Sequence, residues 1–136
     1  MTDKAKKLAT ESYKGVRDFY PEDFYVQEYI FNTWKKAVYS FGYEEYTASI
    51  LENTEIYAAK SGQELVNEQT YTFTDRGERQ VTLRPEMTPS LARMVAAKKR
   101  ELPFPLRVFS IPNCFRYERP QRGRMREFWQ LNVDLL

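Results

Sequence analysis

Apolar and polar positions follow two different rhythms along this chain. Over residues 21–41, Val26, Ile30, Trp34, Ala37, Val38 and Phe41 recur every three or four positions, the spacing that lines one face of an α-helix. Pro21 suits its first turn, where a missing N–H costs nothing, and Gly42 suits its stop. The spacing therefore predicts a long amphipathic helix, with the aromatic side chains Tyr25, Tyr29, Phe31 and Trp34 serving as packing or interface. "YEEYTASILE" then reads as a strand, and "TEIYAAKSG" as a short helix that Thr54 can cap and Gly62 can end. In "TYTFTDRGERQVTLR" two β-prone runs flank Asp75-Arg76-Gly77-Glu78, which predicts a hairpin. Thr88 as cap and Pro89 just inside open another helix through Arg100, with Leu91, Met94 and Val95 on its apolar side. The prolines of "ELPFPL" break it, and "RVFSIPNCFRYE" is extended again. Strands alternating with helices, with hairpins among the strands, predict an α+β fold: an antiparallel sheet with flanking helices.

The last segment, "FRYERPQRGRMREFWQLNVDLL", carries the chemistry. Side chains alternate across a strand, so Glu127, Trp129, Leu131, Val133 and Leu135 share one face, mostly apolar. Phe128, Gln130, Asn132 and Asp134 share the other. Pairing through a turn around Gly123 can put Arg116, Glu118, Gln130 and Asp134 on one surface of a hairpin. Such a polar face can simply meet water. The turn argues for more, because Arg119, Arg122, Arg124 and Arg126 crowd beside Arg116 and repel one another unless an anion is present. Guanidinium forks match phosphate oxygens, at about 1.5–3 kcal/mol per charge-assisted hydrogen bond. A polyphosphate is the economical partner; nucleic acid would call for stacking aromatics interleaved with cations over a longer span.

Composition narrows the field. At 136 residues the chain is one domain's worth, enough to bury a core, with 42% hydrophobic and 29% charged residues. A net charge of +2 argues against a general polyanion binder, so the placement of the arginines matters more than their sum. One cysteine, Cys114, excludes an intrachain disulfide framework, and without histidine a zinc site would need carboxylates and one thiol; no metal-ligating residues are expected. "MTDKAKKLAT" is polar and lysine-rich with no apolar run behind it, neither a secretory signal nor a membrane span. Residues 1–12 are expected to form a flexible arm of a cytoplasmic protein that makes no membrane contact.

"FRYERPQRGRMREFWQLNVDLL" resembles the second signature motif of the class II aminoacyl-tRNA synthetases, an arginine-bearing strand, a loop and a returning strand that hold ATP. "TLRPEMTPSLAR", preceded by "YTFTDRGERQ", together with "YKGVRDFYPED", is similar to the histidyl-tRNA synthetase family. The resemblance runs over residues 13–136. Within it, "ASILE" has Ser49 where the family's dimer-forming motif usually has proline. No counterpart of the glycine-rich third motif, the histidine-specific segment or the anticodon-binding domain is found, so the resemblance implies the front part of a class II catalytic domain. It implies a homodimeric ligase that activates histidine with ATP, accompanied by Mg2+ on the phosphates, and charges tRNA(His); the isolated segment would be weakly active at best. Arg116 would contact the α-phosphate and act in catalysis, Glu118 would face the adenine, and Arg124 would grip the outer phosphates. Glu86, Thr88, Gln130 and Asp134 would receive the histidine, chiefly its α-ammonium. Glu86 could instead be a helix-entry carboxylate, Gln130 and Asp134 solvated strand residues, and Arg122 and Arg126 are expected to be surface charge. Two alternatives remain: a histidine-binding regulatory paralogue of ATP phosphoribosyltransferase, whose arginine loop tends to diverge, and a synthetase-like binding or dimerisation module.

Overall fold

Pro21 enters the first helix, α1 (Pro21–Ser40), with Glu22 and Asp23 beside the positive end of its dipole. This computed structural model describes residues 8–61 and 68–136. Most of the expected N-terminal arm, and Gly62 as a helix stop, lie outside the described residues. Gly42 closes α1 as expected, with φ +76° and its N–H donating to Tyr39 O at 3.0 Å. The buried stripe differs from the expected one. Phe31, Trp34 and Val38 face inward, whereas Val26, Ile30 and Phe41 are exposed, as are Tyr25 and Tyr29. On a helix this rich in aromatics more than one stripe satisfies the period. The choice falls to whatever ring waits on the sheet: Phe31 meets Trp129 at 6.4 Å, and Tyr39 meets Phe109 edge-on at 5.1 Å.

The expected strand over residues 43–52 is two strands in two sheets. β1 (Glu44–Glu45) pairs with β5 (Arg107–Ser110), and β2 (Leu51–Asn53) pairs with β4 (Gln80–Leu83). Thr54 precedes α2 (Glu55–Ser61), and its hydroxyl is engaged with that of Thr82 at 2.8 Å. The predicted hairpin is present as β3 (Tyr71–Thr74) and β4. Asp75 holds its turn, accepting the Gly77 and Arg79 N–H groups at 2.8 and 3.0 Å, and these bonds and Arg79 hold its carboxyl below the usual range. The helix after the hairpin, α3 (Thr88–Lys98), begins at Thr88 itself, so Thr88 does not cap it; Met87 stands at the cap without a side-chain bond. Leu91 is buried and Met94 and Val95 half-buried, as the spacing predicts.

β5 pairs antiparallel with β8 (Asn132–Leu135), and β6 (Asn113–Phe115) with β7 (Glu127–Trp129). These are two halves of one long hairpin, since the register that sets Ser110 opposite Asn132 also sets Asn113 opposite Trp129. The ladder lapses at Pro112, which has no N–H to give; Gln130 N–H still donates to Pro112 O at 3.2 Å. At the open end Leu106 and Leu136 exchange both backbone bonds. The α+β class with antiparallel sheets and flanking helices is observed, in three small sheets rather than one among the described residues, with β1 joining parallel. Phe109, Met87 and Cys114 are the fully buried centre. Among the described residues no helix is long and apolar enough to cross a membrane.

Candidate functional site

The hairpin loop and its two stems enclose a cavity of about 340 Å³ lined by Arg116, Glu118, Gly123, Arg124, Met125, Phe128 and Trp129. Register explains the meeting: Arg116 and Phe128 belong to the same sheet face, and the guanidinium lies 5.1 Å over the ring. Arg116 Nε donates to Pro85 O at 3.1 Å, which fixes the side chain against the "RPEM" turn and leaves the rest of the fork for a ligand. Across the cavity Arg124 Nε lies 3.3 Å from Glu118 Oε2. The loop tip is tight. Gln121 and Arg124 exchange two backbone bonds at 2.9 and 3.2 Å, and Gly123 between them takes φ +76° with open space where a Cβ would stand, so glycine is there for its backbone freedom. Two cations and one carboxylate on a hydrophobic wall suit an anion that also carries a flat, hydrogen-bonding part.

Glu86, Thr88, Gln130 and Asp134 line neither this cavity nor the other one described, about 470 Å³ of mainly apolar space between α3 and β5. The hairpin register does set Gln130 and Asp134 on the same face as Arg116. Glu86 is half-buried and close enough to Cys114 to raise its pKa, as Arg116 is close enough to lower it. Burial dominates that thiol and pushes it up to about 11. Thr88 is exposed at the start of α3. Burial also raises the Asp134 carboxyl. Around it the same sheet face holds Tyr46 OH, Ser110 Oγ and Asn132 Nδ2, all buried without a hydrogen-bond partner. The Ser110 hydroxyl lies near enough to lower the Tyr46 pKa, yet burial wins and the pair falls short of hydrogen-bond geometry. Unpaired buried polar atoms beside a desolvated carboxylate make a surface that gains from a polar guest.

Two arginines lie deeper than their place in the sequence suggests. Arg126, expected at the surface, is buried at 8% exposure. Arg84, 4% exposed, donates from Nε to Asn113 O, from Nη2 to Asn113 Oδ1 and from Nη1 to Ala48 O, at 2.8 to 2.9 Å. It thereby ties residues 46–50, the "RPEM" turn and the Arg116 strand together. Glu52 is likewise buried, with Arg93 of α3 on its Oε1 at 2.6 Å. A charged residue at a strand end reads as solvated from pattern alone, so nothing in the periodicity marks Arg84. Among the described residues no cluster of three or more histidine, cysteine or acidic side chains could hold a metal ion.

Comparison with known proteins identifies the family. The family model for histidyl-tRNA synthetase matches residues 15–136. A histidine–tRNA ligase of Leptospira biflexa is 58% identical over 97% of this chain and 30% of its own length, and one of Thermoplasma volcanium is 48% identical over 94% and 30%. The chain thus spans about 30% of the length of these relatives. Among solved structures, apo histidyl-tRNA synthetase of S. aureus superposes with a TM-score of 0.74 at 29% identity, covering 92% of this chain and 28% of that one. An ATP phosphoribosyltransferase regulatory subunit/histidyl-tRNA synthetase of Bacillus halodurans gives 0.80 at 26%, covering 96% and 33%. With the family model matching all but the first 14 residues, the chain belongs to the histidyl-tRNA synthetase family.

Proposed function

We propose that this chain supplies the ATP-binding hairpin and part of the histidine-binding face of a histidine–tRNA ligase, which joins histidine to ATP as histidyl-adenylate and passes it to tRNA(His). The observation that carries this reading is the convergence of Arg116, Glu118 and Arg124 around one cavity over Phe128. Arg116 meets the α-phosphate, where negative charge shifts as the histidine carboxylate attacks. A fixed donor there is worth about 3–4 kcal/mol, more than in the ground state. Arg124 leaves Glu118 for the outer phosphates, and Glu118 turns to the adenine amino group. Mg2+ enters with the nucleotide, held mainly by phosphate oxygens.

Gln130, Asp134, Glu86 and Thr88 receive the histidine. The desolvated carboxylate of Asp134 and the unpaired groups beside it gain most from an α-ammonium, since a buried charge is stable only when paired. The exposed side of α1 and residues 43–52 form a homodimer contact. The loop "RYERPQRGR" is intact, which supports the ligase over the regulatory reading raised by the Bacillus halodurans structure. The test is histidine-dependent exchange of pyrophosphate into ATP by the complete protein that carries this segment. Exchange that requires histidine is expected; histidine binding without any exchange would transfer the assignment to the regulatory class.

A further inference from the structure

Arg126 lies directly across the hairpin from Arg116, whose N–H donates to Arg126 O at 2.9 Å. Like charges placed opposite one another on a sheet are unfavourable, so the two side chains must part. Arg116 leans over Phe128 and onto Pro85. Arg126 turns the other way, toward the N-terminal segment. Its Nε donates to Glu118 O at 3.0 Å, and its Nη1 to Tyr13 OH at 3.0 Å and Lys14 O at 3.4 Å. Its backbone N–H donates to Gly15 O at 2.7 Å. The guanidinium lies 4.3 Å over the Tyr117 ring and 5.7 Å from that of Tyr13, while Tyr71 meets Tyr117 edge-on at 5.5 Å. Gly15 makes room: it sits at φ +86°, and a Cβ there would stand 2.7 Å from Arg126 Cγ and Cδ. One planar fork thus satisfies acceptors from two distant stretches of chain in three directions, which the single ammonium of a lysine cannot do.

We propose that Arg126 is a positioning residue: it clamps residues 13–15 to the base of the loop and so sets the directions in which Arg116, Glu118 and Arg124 face the cavity. The clamp holds the stem through the Glu118 carbonyl, while the tip is held by its own two backbone bonds and by the partly exposed Arg124–Glu118 ion pair. That the cavity takes ATP rests on the function proposed above, whereas the clamp itself does not.

The experiment uses the 136-residue chain with Arg126→Lys, and separately Gly15→Ala, which leaves every cavity residue in place. Amide hydrogen exchange is mapped, and Mg-ATP, tripolyphosphate and adenosine are titrated by calorimetry. Exchange is expected to quicken over residues 116–125 while β2 and α3 keep their protection. ATP and tripolyphosphate should weaken about tenfold with adenosine little changed, the scale on which small misplacements act. Tyr13→Phe, which removes one bond only, should move both readouts less and in the same direction; it also serves if either other variant fails to fold. Exchange quickened uniformly through β2 and α3, or unaltered, would overturn the clamp, as would local loosening with unchanged tripolyphosphate affinity. If the unaltered chain takes up no ATP, the reading of the cavity fails, and the exchange map alone decides the clamp by the same criterion.

Discussion

Replacing Arg84 with methionine keeps an unbranched apolar stem about as far as Nε and removes the rest of the guanidinium with its charge and donors. Three hydrogen bonds of 2.8 to 2.9 Å are lost, leaving Asn113 O, Asn113 Oδ1 and Ala48 O without that partner in a site only 4% exposed. At about 1.5–3 kcal/mol for each bond from a charged donor, the gross loss is about 5–9 kcal/mol. Relief from burying a cation returns several kcal/mol, so the net destabilisation is about 3–5 kcal/mol. For a chain of this size that corresponds to a fall of about 10–20 °C in Tm. Arg84→Lys retains the charge yet cannot span all three acceptors, and it should fall between the two. Thermal unfolding and urea titration measure the effect, with an unchanged urea slope confirming that the same surface is exposed. An Arg84→Met midpoint within a few degrees of the unaltered chain would show instead that these acceptors find water or that the buried cation was itself a burden.

Further outcomes are expected at the site. In the complete protein, Arg116→Ala should slow single-turnover adenylate formation about 10²–10³-fold with little change in histidine affinity, and a normal rate would count against its place on the α-phosphate. Gln130→Ala and Asp134→Ala should weaken histidine far more than ATP in titration calorimetry; equal losses would remove them from the amino-acid side. Because the folded state holds the Asp134 proton more tightly than the unfolded chain does, stability should fall as pH rises from the ordinary carboxylate range toward the raised value. Asp134→Asn should flatten that limb of a stability-versus-pH curve, and a limb identical in the variant would contradict the partly desolvated placement. The Cys114 thiol, raised to about 11, should resist alkylation near pH 8 in the folded chain. Between its ordinary value of 9.0 and about 11 it should also cost stability, at up to about 1.4 kcal/mol per pH unit, a loss that Cys114→Ser abolishes. Rapid alkylation of folded protein would show the sulfur to be accessible.

Local chemistry decided much of this molecule before any long-range contact. Pro21 and Gly42 bound α1, Asp75 and Gly77 make the β3–β4 turn, and strict alternation set Arg116, Gln130 and Asp134 on one face of a hairpin whose register holds across the break at Pro112. These features have a period or a backbone requirement, and both are written in consecutive residues. Tertiary structure alone decided which stripe of α1 is buried, because the partner rings Phe109 and Trp129 lie far along the chain. It alone split residues 43–52 between two sheets, since the partners β5, at Glu44–Glu45, and β4, at Leu51–Asn53, come from distant parts of the chain. It also decided the fates of the arginines. In sequence Arg84, Arg116, Arg124 and Arg126 are alike, four cations at strand ends or in a turn. What separates a buried tie, a cavity wall, a tip charge and a clamp is which carbonyls, rings and carboxylates come within 3 to 5 Å once distant segments meet. A guanidinium's role is fixed by its acceptors, and here those acceptors come from elsewhere in the chain.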